Sequence, residues 1–174
     1  MMKIVGIDPG SFNCGYGLIQ VAQPSPSQRR TQARNCFYLS SGRIVLPARM
    51  PLPERLKELY TGLVEMLDEY KPDEIIIERM FFAKSVRAAL SLGHARGVVL
   101  IAAALTNLPL YEYSALEVKK AVVGYGRADK NQVQHMVREI LKIDRALSPD
   151  SADALALALC HAHTKQFTQQ IGRR

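Results

Sequence analysis

The segment that most restricts the fold is Glu74-Ile75-Ile76-Ile77-Glu78. It follows Lys71-Pro72-Asp73, which breaks whatever helix precedes it. Three consecutive β-branched residues without polar alternation, in so short a run, read as a strand buried on both faces. A strand of that kind needs a packed layer on either side, so the rest of the chain must supply helices for both.

The order of elements meets that demand. Lys3 to Asp8 reads as a strand closed by Pro9-Gly10, and Cys14 to Val21 as a second, with Gly15 and Gly17 permitting close backbone approach. Residues 22–35 are rich in Pro, Ser, Gln and Arg and read as a mobile basic hairpin loop before a third strand over Cys36 to Leu46. Pro51 and Pro53 open an amphipathic helix to Tyr70, with Leu56, Leu59, Leu63, Met66 and Leu67 on one stripe. Residues 84–106 form a helix with few polar positions, either central or at a subunit interface, in which Gly93 and Gly97 would admit a second helix. Leu110 to Tyr113 is a fifth strand, followed by a helix from Ala115 and a turn at Gly124-Tyr125-Gly126. Asp129 caps a helix to Lys142, and Ser148-Pro149 opens a last helix ending near His163. These elements predict one α/β domain with a mixed five-stranded sheet flanked by helices, over residues 1–166, with 167–174 as a flexible tail.

A chain of 174 residues is enough for one core and too short for two comfortable ones. No uninterrupted apolar run approaches a membrane span; the longest, Gly97 to Leu105, is about half of the ~20 residues required. The N-terminus lacks the apolar stretch of a signal peptide, and Cys14, Cys36 and Cys160 show neither disulfide nor zinc spacing. A cytoplasmic protein without a membrane partner is expected.

Charge is segregated along the chain. The net charge is +7, yet no acid occurs between Asp8 and Glu54, or between Glu78 and Glu112. The second of these stretches carries Arg79, Lys84, Arg87 and Arg96. Half of the 16 acids lie between Glu54 and Glu78. One face turned to a polyanion explains such a pattern; solvated helix faces explain it as well.

Four acids stand apart. Asp8 and Glu78 each end a strand, where an open α/β sheet exposes its ligand crevice. Asp150 and Asp153 are three residues apart in the first turn of a helix, project from one face, and are favoured there by the helix dipole. Asp8 also reads as a turn-former, and Asp150 as an ordinary first-turn acid. Asp153 is harder to dismiss because the neighbouring ADALALAL would bury its face. Brought together, such carboxylates repel one another, and a hard divalent cation relieves the repulsion while inviting a phosphodiester. Two ions about 3.5–4 Å apart can activate water and stabilise the leaving oxygen. Phe81-Phe82, in a basic segment, suits stacking on unpaired bases, although one of the two is a natural core residue. His135, His161 and His163 have no companion soft ligands and read as surface or packing residues.

GIDPGSxxxGYG at 6–17, IIERMFFAKS at 76–85, LGHARGV at 92–98, VKKAVVGYGRADKNQVQHMV at 118–137 and DSADALALA at 150–158 resemble, in order, the RuvC Holliday-junction resolvases. The resemblance implies a ribonuclease H-like fold and a homodimer with two active sites. It implies Mg²⁺-dependent nicking (with Mn²⁺ as substitute and two ions per site) of two opposed strands of a four-way DNA junction. The ends left are 5′-phosphate and 3′-hydroxyl, and the RuvA–RuvB branch-migration complex is the implied partner machinery. By motif, the metal-binding catalytic acids fall on Asp8, Glu78, Asp150 and Asp153. Phe81 matches the aromatic that stacks on a junction base, and Lys119 and Lys130 match lysines near the scissile phosphate. Lys84 and Arg87 are expected DNA contacts, and the family's dimer contact falls on the helix of Gly93 and Gly97. The 22–35 loop departs from the family pattern in being longer and more basic.

Three other readings remain distinguishable. An actin- or hexokinase-like ATPase shares a GIDPGS-like opening, but needs two lobes and a second phosphate-binding segment. A non-catalytic junction binder would gain nothing from four bare carboxylates facing DNA. A related nuclease acting on RNA or another branched DNA would differ only in substrate.

Overall fold

The computed structural model describes residues 1–22, 36–79 and 86–171. Five strands and five helices follow one another as β1 (Met2–Asp8), β2 (Asn13–Val21), β3 (Cys36–Val45), α1 (Leu52–Tyr70), β4 (Glu74–Glu78), α2 (Val86–Leu105), β5 (Leu110–Tyr113), α3 (Ala115–Val123), α4 (Lys130–Leu141) and α5 (Pro149–Ile171). The strands form one mixed sheet in the order β3-β2-β1-β4-β5. β1, β2 and β3 pair antiparallel as a meander, whereas β4 joins β1 and β5 joins β4 in parallel. The parallel connections are made through helices, as they must be.

Strand alternation divides the interior into two cores. Ile4, Ile19 and Ile76 face α3, α4 and α5, while Val5, Ile7, Leu18, Ile75 and Ile77 face α1 and α2. All three isoleucines of β4 are fully buried, so the strand expected to need cover on both faces has it. Its parallel register pairs Ile7 with Ile77, which brings the carboxyl ends of β1 and β4 side by side.

α5 lies directly on β1 and β2. A Cβ on Gly6 would stand 1.9 Å from the Ala154 carbonyl oxygen, and one on Gly15 would stand 2.3 Å from that of Asp150. No side chain fits there, so the glycines set how closely the helix approaches. Its start is fixed by Ser148, whose hydroxyl accepts a hydrogen bond from the Ser151 amide at 3.2 Å, while Ser151 donates to the Gly42 carbonyl at 3.0 Å.

One expectation needs correction. α5 runs to Ile171 instead of ending near His163, so residues 167–171 of the expected flexible tail are helical. The polar continuation is supported by Thr164 and Thr168 hydroxyls donating to the Cys160 and Thr164 carbonyls, and by Lys165 bonding to Glu74. α2, expected to be either central or at a subunit interface, is not central: Val86, Leu90, Ile101 and Leu105 are exposed in the single chain, at 78%, 60%, 56% and 65%. By length and composition its Ala88–Leu105 stretch is apolar enough to cross a membrane, with a mean hydropathy of 1.6. The uninterrupted run is shorter because Ser91, His94 and Arg96 divide it. Gly93 and Gly97 have open space where a Cβ would point.

The three cysteines are free and buried. Of the histidines, His161 is buried between Tyr113 (Nδ1 to hydroxyl, 2.9 Å) and Glu74 (Nε2 to Oε2, 2.8 Å), a packing role. His135 is exposed.

Candidate active site

Asp8 and Glu78 are placed by strand alternation. Asp8 follows Ile4 and Gly6 on the α5 side of β1, and Glu78 follows Ile76 on the same side of β4. Both therefore aim under the start of α5. Asp153, in the second turn-face of that helix, meets them, and the three carboxylates line one cavity. Asp150 stands outside this lining, its main chain resting over Gly15, yet near enough for its charge to act on Asp8.

Lysines close the cavity from the other side. Lys130 is the first residue of α4, where Asp129 and Gln132 form a reciprocal capping box with both bonds at 2.9 Å. The cap fixes the direction of Lys130, whose ammonium meets Asp153 Oδ2 at 3.0 Å. Lys119, on α3, also lines the cavity, and α3 has its own capping box between Ser114 and Glu117. Val133 and Leu157 contribute apolar wall. An apolar wall lowers the local dielectric and strengthens every charge interaction inside.

The electrostatics record how crowded the acids are. Burial pushes the Asp8 carboxyl up from 3.8 to about 7, with further repulsion from Asp153, Glu78 and Asp150 and partial relief from Lys130. Burial and then Asp153 also raise Glu78, against the pull of Lys130 and Lys119. Lys130 is raised above its usual range, chiefly by its hydrogen bond to Asp153. Burial first and the neighbouring carboxylates next thus disfavour the charged form of Asp8, and a cation among these acids would favour it.

The donor set suits a hard divalent ion, since it consists of carboxylate oxygens with no sulfur or imidazole among them. Among the described residues, however, no three such side chains converge into a ready cage. The acids flank the cavity instead of enclosing a point, leaving positions for water and for the oxygens of a substrate.

The family described as Crossover junction endodeoxyribonuclease RuvC matches residues 4–161. The chain belongs to the RuvC family. The RuvC of Shewanella frigidimarina is 49% identical over 172 residues, covering 99% of this chain and 93% of that protein. A solved structure of T. thermophilus RuvC in complex with Holliday junction substrate matches with a TM-score of 0.85 at 32% identity, covering 97% of each chain. The yeast mitochondrial Holliday junction resolvase Ydc2 shares the fold alone, with a TM-score of 0.64 at 16% identity over 97% of this chain and 81% of its own. The ribonuclease H-like fold expected from the resemblance is thus the fold of this RuvC-family chain.

Of the expected site residues, the structure brings together Asp8, Glu78, Asp153, Lys119 and Lys130, with Asp150 at the margin. Phe81 and Lys84, the Arg87 side chain and residues 23–35 of the basic loop lie outside the described residues. One functional neighbour escaped sequence reading. Arg96 on α2 donates to the Glu78 carbonyl oxygen at 2.8 Å and to Glu112 Oε1 at 2.5 Å. The available signal was a guanidinium in the middle of a helix with few polar positions.

Proposed function

We propose that this RuvC-family chain resolves Holliday junctions by metal-dependent nicking of two opposed strands, with Asp8, Glu78, Asp150 and Asp153 as the acids of the catalytic centre. The observation that carries the reading is the convergence of Asp8, Glu78 and Asp153 on one lysine-rimmed cavity in a chain of this family. The T. thermophilus relative, solved with Holliday junction substrate, supports the choice of DNA.

Asp8, Glu78 and Asp153 would hold the metal, with Asp150 contributing from the edge. Mg²⁺, with Mn²⁺ as substitute and two ions per site, fits a donor set made only of carboxylates. When bound, the ions supply a water of lowered pKa and a counter-charge for the leaving oxygen. The chain does the rest. Lys130 neutralises Asp153 until substrate arrives and then can turn to a phosphate, while Lys119 pairs with the same charge from α3. A bound cation would favour the ionised form of Asp8 against the burial and the neighbouring carboxylates that raise it. The apolar wall of Val133 and Leu157 limits competing water beside the reacting phosphate. Phe81 would stack on a junction base, with Lys84 and Arg87 on the neighbouring backbone.

The uncovered apolar face of α2 supports a homodimer. Val86, Leu90, Ile101 and Leu105 would be buried against a second copy, and Gly93 and Gly97 would let the helices approach. Two active sites then act on two strands, leaving 5′-phosphate and 3′-hydroxyl ends, in the cytoplasm and in cooperation with RuvA–RuvB. The single nuclease unit of residues 1–166 carries all of these parts.

The test is substrate competition. A labelled four-way junction, the matching linear duplex and an RNA–DNA hybrid are offered in Mg²⁺, with each unlabelled substrate as competitor. Preferential cutting of the junction, resisted only by unlabelled junction, is expected. Equal cutting of the hybrid would favour a ribonuclease, and binding without nicking would favour a passive junction binder.

A further inference from the structure

We propose that Arg96 is a positioning residue that holds the end of β4, and with it the Glu78 carboxylate, at the geometry the reaction needs. The proposal rests on the reading of Glu78 as a metal-holding acid. Glu78 is the last residue of its strand. Its side chain faces α5, whereas its carbonyl is taken from the α2 side of the sheet by Arg96 at 2.8 Å. The same guanidinium reaches Glu112 at 2.5 Å, on the neighbouring β5. Two donors of one rigid fork thus join the tips of two adjacent strands to α2.

The surrounding contacts close the clamp. The Arg79 amide donates to the Tyr113 carbonyl at 2.8 Å, and the Arg79 guanidinium donates to the Glu112 carbonyl at 3.2 Å. Glu112 therefore serves Arg96 through its carboxylate and Arg79 through its backbone. The Arg96 side chain is 17% exposed, so its bonds are sheltered from the solvent that weakens surface pairs. A lysine keeps the charge but lacks the planar fork, so one nitrogen has to replace the two that arginine sets on separate acceptors. A shift of the Glu78 tip misplaces an oxygen whose position the reaction depends on, and displacements near 1 Å cost about 100-fold in rate.

The experiment compares wild type with Arg96→Lys and Glu112→Gln in the full chain. It reads four quantities: single-turnover cleavage of saturating junction, the Mg²⁺ midpoint of that cleavage, junction affinity in chelator, and amide hydrogen exchange. Arg96→Lys is expected to lower the cleavage rate by about 10- to 100-fold and to move the Mg²⁺ midpoint upward, with junction affinity within about twofold. Exchange at the Arg79 amide, just past β4, should quicken while that of Ile76, in the middle of β4, stays unchanged. Glu112→Gln should show the same pattern at smaller amplitude. A wild-type rate and Mg²⁺ midpoint in Arg96→Lys would overturn the proposal. So would a uniform rise in exchange across β4, which marks a plain loss of stability. Glu78→Gln serves as the control for the underlying reading: if it cuts at the wild-type rate, the assignment of Glu78 fails, whatever Arg96 does.

Discussion

Asp8→Asn should make the metal-free protein more stable while stopping cleavage. Asp8 is an acid whose folded pKa lies above its unfolded value, rising from 3.8 to about 7 through burial first and the neighbouring carboxylates next. The native state therefore binds the proton more tightly than the unfolded chain does. Below pH 3.8 both states are protonated and no penalty exists. Between 3.8 and about 7 the unfolded chain ionises while the native state resists, so stability is lost as pH rises; above about 7 the loss is complete. The shift spans about three units at 1.36 kcal/mol each, which sets a ceiling near 4 kcal/mol. Solvent reaches part of the carboxyl, so about 2–4 kcal/mol is the expected range. For a chain of this length that is roughly 5–15 °C in Tm. The assay is thermal unfolding of both proteins in chelator from pH 4 to pH 8. The Tm difference should be small at pH 4, grow towards pH 7, and then level. Added Mg²⁺ should raise wild type, by about 2.7 kcal/mol at a hundred times its Kd, and raise Asp8→Asn much less. A variant no more stable than wild type at pH 8, or a gain independent of pH, would refute the reasoning.

Three further outcomes follow from the geometry. Gly6→Ala places a methyl against the Ala154 carbonyl and should cost about 3 kcal/mol or more in denaturant unfolding, with cleavage falling as α5 and Asp153 shift. Lys130→Ala should slow cleavage and reduce the slope of log affinity against log salt by about one, read by anisotropy titration at several NaCl concentrations. Leu90→Glu with Ile101→Glu, both on the exposed face of α2, should convert a dimer to a monomer in sedimentation while the far-ultraviolet spectrum stays unchanged; an unaltered sedimentation coefficient would remove α2 from the interface.

Much of this architecture is legible in local sequence because local physics decides it. Ile75-Ile76-Ile77 admits little but a doubly covered strand, and Asp129 and Ser148 mark helix starts through bonds found where expected. The ends of helices are less legible. α5 continues past His163 because Lys165 finds Glu74, a partner 91 residues away that no local pattern announces. The site divides in the same way. Strand ends expose Asp8 and Glu78, and helical spacing pairs Asp150 with Asp153, but only the glycine floor at Gly6 and Gly15 brings the helix down to meet the strands. That contact also separates Asp153, which enters the cavity, from Asp150, which stays at its margin. Arg96 was legible only as a charge. Its acceptors, a backbone carbonyl and Glu112, become neighbours through the parallel register of β4 and β5 and the docking of α2.

One lysine-rimmed cluster of carboxylates is proposed to cut four-way DNA. This is tested most directly by incubating the chain with a synthetic junction in Mg²⁺, each of the four strands end-labelled in turn, and mapping every cut. Nicks at symmetric positions on two opposed strands are predicted, with products that ligase seals, and with none from Asp8→Asn or Glu78→Gln although both still bind the junction. Cleavage spread over all four strands, or undiminished cutting by either variant, would contradict it.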